Sequence, residues 1–325
     1  LKEKRSIIIV ALIVSIVLMF AKFSAYFITS SNFILTDAAE SIVNVIASAF
    51  AFFSISLASR PRDVNHPYGH GKVEFFSVFI EGTLIGIAGI TIVFKGTYSL
   101  FFPHEVQKIL TGAIIIGITG AINGGLGYYM INRGKKLNSI TLEADGRHLI
   151  TDMVTSAGLV IGLTLMYFLP YPWLDSGLSV IVGIYIVVTG YKLLRKSIAG
   201  LMDEADFTVV NDIVNILNAQ RKVEWIDVHN LRAQKYGHEL HIDCHLTLPN
   251  YFDLNRVHDE VKLVDKLVNR NANVKTEFFI HTDPCLPNCC HYCSMPNCPI
   301  RSEPKNIDIE WTMENVTRNK KHFEQ

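Results

Sequence analysis

Charge is scarce in this 325-residue sequence: Asp, Glu, Lys and Arg make up 18% of it, where a soluble domain usually holds about a quarter. Net charge is missing too, since 30 Lys and Arg balance 30 Asp and Glu. That balance offers no electrostatic basis for gripping nucleic acid or an acidic polymer. Cysteine is nearly absent before Cys285, with Cys244 standing alone. Motifs for bond-making chemistry are missing as well. His104-Glu105 and His238-Glu239 both lack the second His of a zinc-peptidase helix, and Gly71-Lys72 and Gly134-Lys135 lack the rest of a phosphate-binding loop. The sequence therefore reads as a non-enzyme with no nucleotide site.

What fills the chain instead is apolar. Six stretches, about 6–29, 33–58, 73–100, 109–132, 139–168 and 174–195, are long enough to cross a bilayer as helices. The first is too long for a signal-peptide core, and no convincing cleavage motif follows it. Pro61, Pro103, Pro170 and Pro172 punctuate the breaks. Lys and Arg collect at the N-terminus, in the second and fourth connections and after the sixth run, as Lys2, Lys4, Arg5, Arg60, Arg62, Lys72, Arg133, Lys135, Lys136, Lys192, Arg195 and Lys196. The other connections hold almost none. By the positive-inside bias, both termini are expected in the cytoplasm of a plasma (inner) membrane protein.

Charge returns after Asp203, and the pattern becomes that of a small α+β domain. Phe207–Ala219 has helical apolar spacing, Val223–Ala233 reads as a strand, and Leu240–Leu248 alternates strictly as a half-buried strand. Leu254–Val268 is a second helix and Val274–His281 a third strand. The expected organisation is a six-helix transmembrane domain over 1–203, a cytoplasmic αββαβ, ferredoxin-like domain over 204–283, a Cys-rich extension over 284–301, and a polar, loosely ordered tail over 302–325.

Ionisable groups inside spanning helices are costly and point to function. The second run carries Asp37, Glu40 and Asn44, and the fifth carries Glu143, Asp145, His148 and Asp152. Spacings of three and four put Asp37, Glu40 and Asn44 on one helical face, and His148 and Asp152, four apart, share another. Two such faces can close a four-coordinate site of the kind Zn²⁺ prefers; alternatively these groups pair with one another. Glu81 is a lone acid in the third run. The loop holds Asp63, His66 and His70, with neutral imidazoles available as ligands.

These residues resemble one family, the cation diffusion facilitators, which are metal/proton antiporters. The resemblance covers roughly residues 5 to 283. It rests on Leu35–Asn44, on Asn65-His66-Pro67-Tyr68-Gly69-His70-Gly71-Lys72-Val73-Glu74, on His148 and Asp152, and on Phe279-Ile280-His281-Thr282-Asp283-Pro284. It implies a transport site at Glu40, Asn44, His148 and Asp152, a loop metal site at Asp63, His66 and His70, and a cytoplasmic metal site at His229, His245, His281 and Asp283. His241 and His258 are further candidates for that last site, and Lys72 with Asp203 would form a charge interlock near a homodimer interface. The family's usual second-helix pair is His or Asp followed by Asp; here it is Glu40 and Asn44. That departure leaves Zn²⁺ the leading cargo with Fe²⁺, Mn²⁺ or Co²⁺ also admissible, and Asp37 is a candidate helper.

The implied activity is proton-coupled efflux by alternating access of a homodimer, because metal and protons compete for the same ligand atoms. The rival is a membrane metal sensor whose altered second-helix pair has ended transport. Cys285, Cys289, Cys290, Cys293 and Cys298, with His291, lie beyond the family's common core. They admit a Zn²⁺ or Fe²⁺ site, redox thiols or no function, and the metal site is the favoured reading.

Overall fold

A computed structural model describes residues 2–29, 32–101, 109–168, 173–236, 239–271 and 276–324. The chain divides into two compact units, Leu1–Met202 and Asp203–Gln325.

The first unit is six helices: α1 Lys2–Thr29, α2 Asn32–Ala58, α3 Val73–Phe101, α4 Ile109–Lys136, α5 Ile140–Phe168 and α6 Trp173–Leu201. At 27 to 29 residues and about 1.5 Å per residue, each is roughly 40 Å long, more than the ~30 Å bilayer core. Helices α1, α3 and α4 contain the stretches Glu3–Ser24, Val73–Phe101 and Ile114–Lys136, apolar enough to cross by length and composition. Helices α4 and α6 run past the expected ends at 132 and 195. Apolarity stops at the first basic residue but helix formation does not, and Arg133, Lys135 and Lys136 complement the carbonyl end of α4.

Close approach holds these helices together, since lipid supplies no hydrophobic drive between them. A Cβ on Gly190 of α6 would sit 2.7 Å from the Gly86 nitrogen of α3, and one on Gly127 of α4 would sit 2.7 Å from the Gly146 oxygen of α5. Helix α5 touches two apolar clusters. Leu142 and Leu149 join Ile8, Ala51, Ile55 and Met130, while Ile140 and Ala144 join Phe75, Val78, Ile186 and Leu193. Ile13, Val17 and Phe20 of α1, and Ile87, Ile90 and Phe94 of α3, stay exposed on the outer faces.

The second unit runs α7 Phe207–Ala219, β1 Asp227–Tyr236, β2 Glu239–Leu248, α8 Leu254–Asn271 and β3 Thr276–Pro284. Asp206 caps α7, its carboxylate accepting from the backbone N–H groups of Thr208 and Val209. The sheet order is β1-β2-β3. The β1–β2 pair is antiparallel and β2–β3 is parallel, with α8 as the crossover that a parallel pair requires. The first strand begins at Asp227 rather than Val223. Lys222–Trp225 is a turn, closed by the Trp225 N–H on the Lys222 carbonyl at 3.1 Å.

Residues 302–324, within the 302–325 tail expected to be loose, pack onto this unit. Trp311 and Val316 are 2% and 1% exposed in the main core, and Met313–Val316 forms a short helix, α9. The Arg221 guanidinium lies 3.9 Å over the Trp311 ring and donates to the Ile309 carbonyl at 2.7 Å. Polar composition suggested a tail, yet Trp311 and Val316 enter the core and Ile309 and Met313 pack against it.

Candidate metal centres

Within the helical unit, Asn44 on α2 faces His148 and Asp152 on α5, and all three are buried. The Asn44 amide nitrogen donates to Asp152 Oδ2 at 2.5 Å. Its carbonyl oxygen accepts from His148 Nε2 at 2.8 Å. One neutral side chain thus ties both α5 groups to α2, with its donor toward the carboxylate and its acceptor toward the imidazole. The three residues border a cavity of about 180 Å³ that is otherwise lined by apolar residues of α3, Ile186 of α6, and Thr151 and Thr155 of α5. The side chains of Asp37 and Glu40 lie outside the described residues.

Among the described residues, other acids of the helices have partners of their own. Ser48 donates to Asp145 at 3.1 Å. Glu143 takes Arg147 and Lys196, both at 2.9 Å, an ion-pairing role at the helix end. Glu74 accepts from Ser139 and Thr141, a buried link between α3 and α5 that sequence reasoning missed because serine and threonine carry no spacing signal. Glu81 Oε1 accepts from Ser77, while its Oε2 is buried without a hydrogen-bond partner.

The loop before α3 gathers Asp63, His66 and His70, whose ligand atoms all lie within 4.8 Å of one another. Asp63 Oδ1 is 3.0 Å from His66 Nδ1, Asp63 Oδ2 is 3.3 Å from His70 Nε2, and the two rings are 4.3 Å apart. Gly69, at φ +89°, lets the chain reverse between the histidines. The His66 backbone N–H, ahead of the two imidazoles, holds the Asp63 carboxyl below its ordinary value. Lys72 closes this loop, and Asp203 opens the second unit with φ at 56°.

In the second unit the strand register sets His229 of β1 beside His245 of β2, and His245 beside His281 of β3. Asp283, two residues further along β3, points back at the row. Its carboxylate lies 3.5 Å from His229 Nε2, 3.2 Å from His245 Nδ1 and 3.6 Å from His281 Nε2. The ligand atoms of His229, His245 and Asp283 all fall within 4.8 Å of one another. Asn230, at φ 54°, interrupts the ladder just after His229, a bulge that re-aims the neighbouring side chain. Burial lowers the His229 imidazole from its ordinary value, outweighing the Asp227 and Asp283 carboxylates, which favours the neutral form that can ligate a metal. His241 sits further along β2 against Glu277 and Tyr236, and His258 is exposed on α8; neither joins the cluster.

Two family models match the chain. The cation efflux transmembrane domain covers residues 8–202 and the cation efflux protein cytoplasmic domain covers 205–285. This chain belongs to the cation diffusion facilitator family. It is thus an integral membrane transporter that exports divalent cations, and not an enzyme. It is 32% identical over 76% of its length, and 80% of the relative's, to an uncharacterized transporter of Synechocystis sp.. It is 27% identical to the manganese efflux system protein MneP of Bacillus subtilis, covering 86% of this chain and 96% of that one. It is also 27% identical, over 67% and 70%, to a cadmium, cobalt and zinc/H(+)-K(+) antiporter of Bacillus velezensis. The names of these relatives span several metals.

Proposed function

We propose that the chain works as a homodimer, with both termini in the cytoplasm, and exports a divalent transition metal in exchange for protons. Glu40, Asn44, His148 and Asp152 form the transport site. The observation that carries this reading is the buried contact of Asn44 with Asp152 at 2.5 Å and with His148 at 2.8 Å, which puts oxygen and nitrogen ligands from two helices within reach of one ion.

Glu40 and Asp152 supply two negative charges, which neutralise a divalent cation in a site that cannot otherwise hold net charge. Asn44 adds a neutral carbonyl oxygen and His148 a nitrogen. A metal entering the site must take Asp152 from the Asn44 N–H, so the amide turns its oxygen to the ion. On the outward side, protons take the metal's place on the same carboxylates and imidazole, because metal ligation needs them deprotonated. Zn²⁺ fits a four-coordinate site with one nitrogen. The predominance of oxygen also admits Fe²⁺, Mn²⁺ and Co²⁺, in keeping with the mixed metals in the relatives' names.

The His229, His245, His281 and Asp283 cluster and the Asp63, His66 and His70 loop are regulatory metal sites in this reading. Metal at the strand cluster would favour one arrangement of the dimer and so couple transport to metal level. The test uses proteoliposomes with an imposed pH gradient, offered Zn²⁺, Fe²⁺, Mn²⁺ and Co²⁺ in turn. Metal uptake accompanied by opposite proton movement is expected for at least one ion, and no metal-dependent proton flux with any of them overturns the reading.

A further inference from the structure

The chain continues past residue 285, where the family match ends. Its next stretch sets Cys285, Cys289, Cys290, Cys293 and Cys298 around one cavity of about 190 Å³ as free thiols. Among the described residues, no three of those sulfurs lie within 4.8 Å of one another. The last stretch returns to β1, the strand that carries His229.

Two hydrogen bonds strap that return to β1 on either side of the histidine. The Asn230 N–H, at the bulge, donates to the Arg318 carbonyl at 2.8 Å. The His322 N–H donates to the carboxylate of Asp227, which is fully buried, at 3.0 Å. Val316, in the main core, holds the chain just before. Residues 318 and 322 are therefore fixed against 230 and 227, and Lys321 lies between them.

This strap delivers Lys321 to the metal-ligand cluster. Its ammonium donates to the Pro284 carbonyl at 3.4 Å and stands 3.9 Å from Asp283 Oδ2. The same oxygen faces His229 Nε2 at 3.5 Å and His245 Nδ1 at 3.2 Å. The lysine side chain is 14% exposed and the aspartate 19%, so water screens the pair only in part. An ammonium offers donors and no lone pair. It can hold the Asp283 carboxylate but cannot ligate a metal.

We propose that Lys321 is a resident counter-charge in the His229, His245, His281 and Asp283 cluster, and that an incoming divalent metal must displace it. The inference rests on the reading of that cluster as a regulatory metal site. Ligation takes the imidazoles neutral, so a divalent ion with one carboxylate leaves the filled cluster net positive. An ammonium beside that carboxylate opposes filling. Lys321 thus raises the metal level at which the cluster fills, and with it the level at which transport responds.

The test is Zn²⁺ binding by the full-length chain in detergent, in competition with a metallochromic chelator. The cluster's share is the binding that Asp283→Ala removes. Lys321→Met and Lys321→Gln should each tighten that share by about tenfold, the scale of one partly screened charge, whereas Lys321→Arg keeps the wild-type affinity. In the Asp283→Ala background, Lys321→Met should change nothing. Wild-type or weaker affinity in a folded neutral variant, or equal tightening in Lys321→Arg, overturns the role of Lys321 and leaves the cluster standing. Zn²⁺ binding that Asp283→Ala leaves intact, in wild type and neutral variants alike, overturns the cluster reading and the proposal with it. Either neutral variant suffices if the other fails to fold, since Gln keeps a donor for the Pro284 carbonyl and Met keeps most of the side-chain length.

Discussion

Replacing Asn44 by Asp tests the local electrostatics of the transport site. In the wild type the Asn44 amide donates to Asp152 Oδ2 at 2.5 Å. In Asn44→Asp that donor becomes a second carboxylate oxygen. Two full charges at 2.5 Å repel by about 7 kcal/mol at an effective dielectric of 20, and by about 4 kcal/mol if the pair relaxes to roughly 4 Å. Either figure is enough that the two carboxylates share a proton rather than both ionise. The variant therefore enters the cycle holding one proton more than the wild type. A divalent ion binding between the carboxylates must expel it, so metal affinity should change about tenfold more per pH unit than in the wild type. The assay is metal uptake into proteoliposomes across a pH series, with proton release per metal counted using a pH dye. A steeper profile and one extra proton per metal are expected. Asn44→Leu is the control: it also removes the donor to Asp152 but adds no proton. If Asn44→Asp has the wild-type slope and proton count, Asn44 and Asp152 do not meet around the cargo and the site is misplaced.

Two further predictions concern the C-terminal unit. Asp227 is fully buried and accepts from the His322 backbone N–H at 3.0 Å, His322 Nδ1 at 2.5 Å and the Tyr292 hydroxyl at 3.2 Å. Despite burial, these partners hold its carboxyl below the ordinary value, with the His322 side chain the largest favourable cause. A depressed carboxylate stabilises the fold above its unfolded value near 3.9, and that contribution fades as pH falls through the folded value. Asp227→Asn should thus cost about 3 kcal/mol at neutral pH. Its deficit should shrink toward pH 3, read from Trp225 and Trp311 fluorescence on denaturation; a deficit independent of pH contradicts the pairing. Asp283→Ala removes the one carboxylate that faces three histidines. It should weaken metal binding to the strand cluster by at least a hundredfold in competition with a metallochromic chelator, and unchanged affinity would show that the ligands lie elsewhere.

Much of this was legible before any coordinates. Spacing alone put His148 with Asp152 on one face of α5, since a carboxylate and an imidazole four apart in an apolar run leave few other readings. Strict alternation placed His245 on a half-buried strand, and the αββαβ order followed from apolar periodicity. Spacing did not reveal how Asn44 serves two neighbours at once, because an amide's hydrogen bonds depend on which end meets which partner. His241 and His245 share a strand face by period, yet only His245 stands in the row with His229 and His281. That choice comes from pairing register and from the bulge at Asn230, both nonlocal. The docking of 302–324 was illegible for a similar reason. Its mean composition is polar, and the residues of it that enter the core, Trp311 and Val316, find their partners across the domain rather than along the chain. The Glu143–Lys196 ion pair and the Ser48–Asp145 bond were likewise hidden, since each joins residues distant in sequence.

The central claim is that the buried α2–α5 site carries the cargo and exchanges it for protons. Asp152→Ala tests it most directly, through simultaneous records of metal uptake and proton efflux in proteoliposomes and of metal binding by the detergent-solubilised chain. The account predicts that both fluxes vanish together while metal binding at the His229, His245 and Asp283 cluster stays at the wild-type level. Persisting coupled flux in Asp152→Ala, or wild-type chain that moves metal without protons, would contradict it.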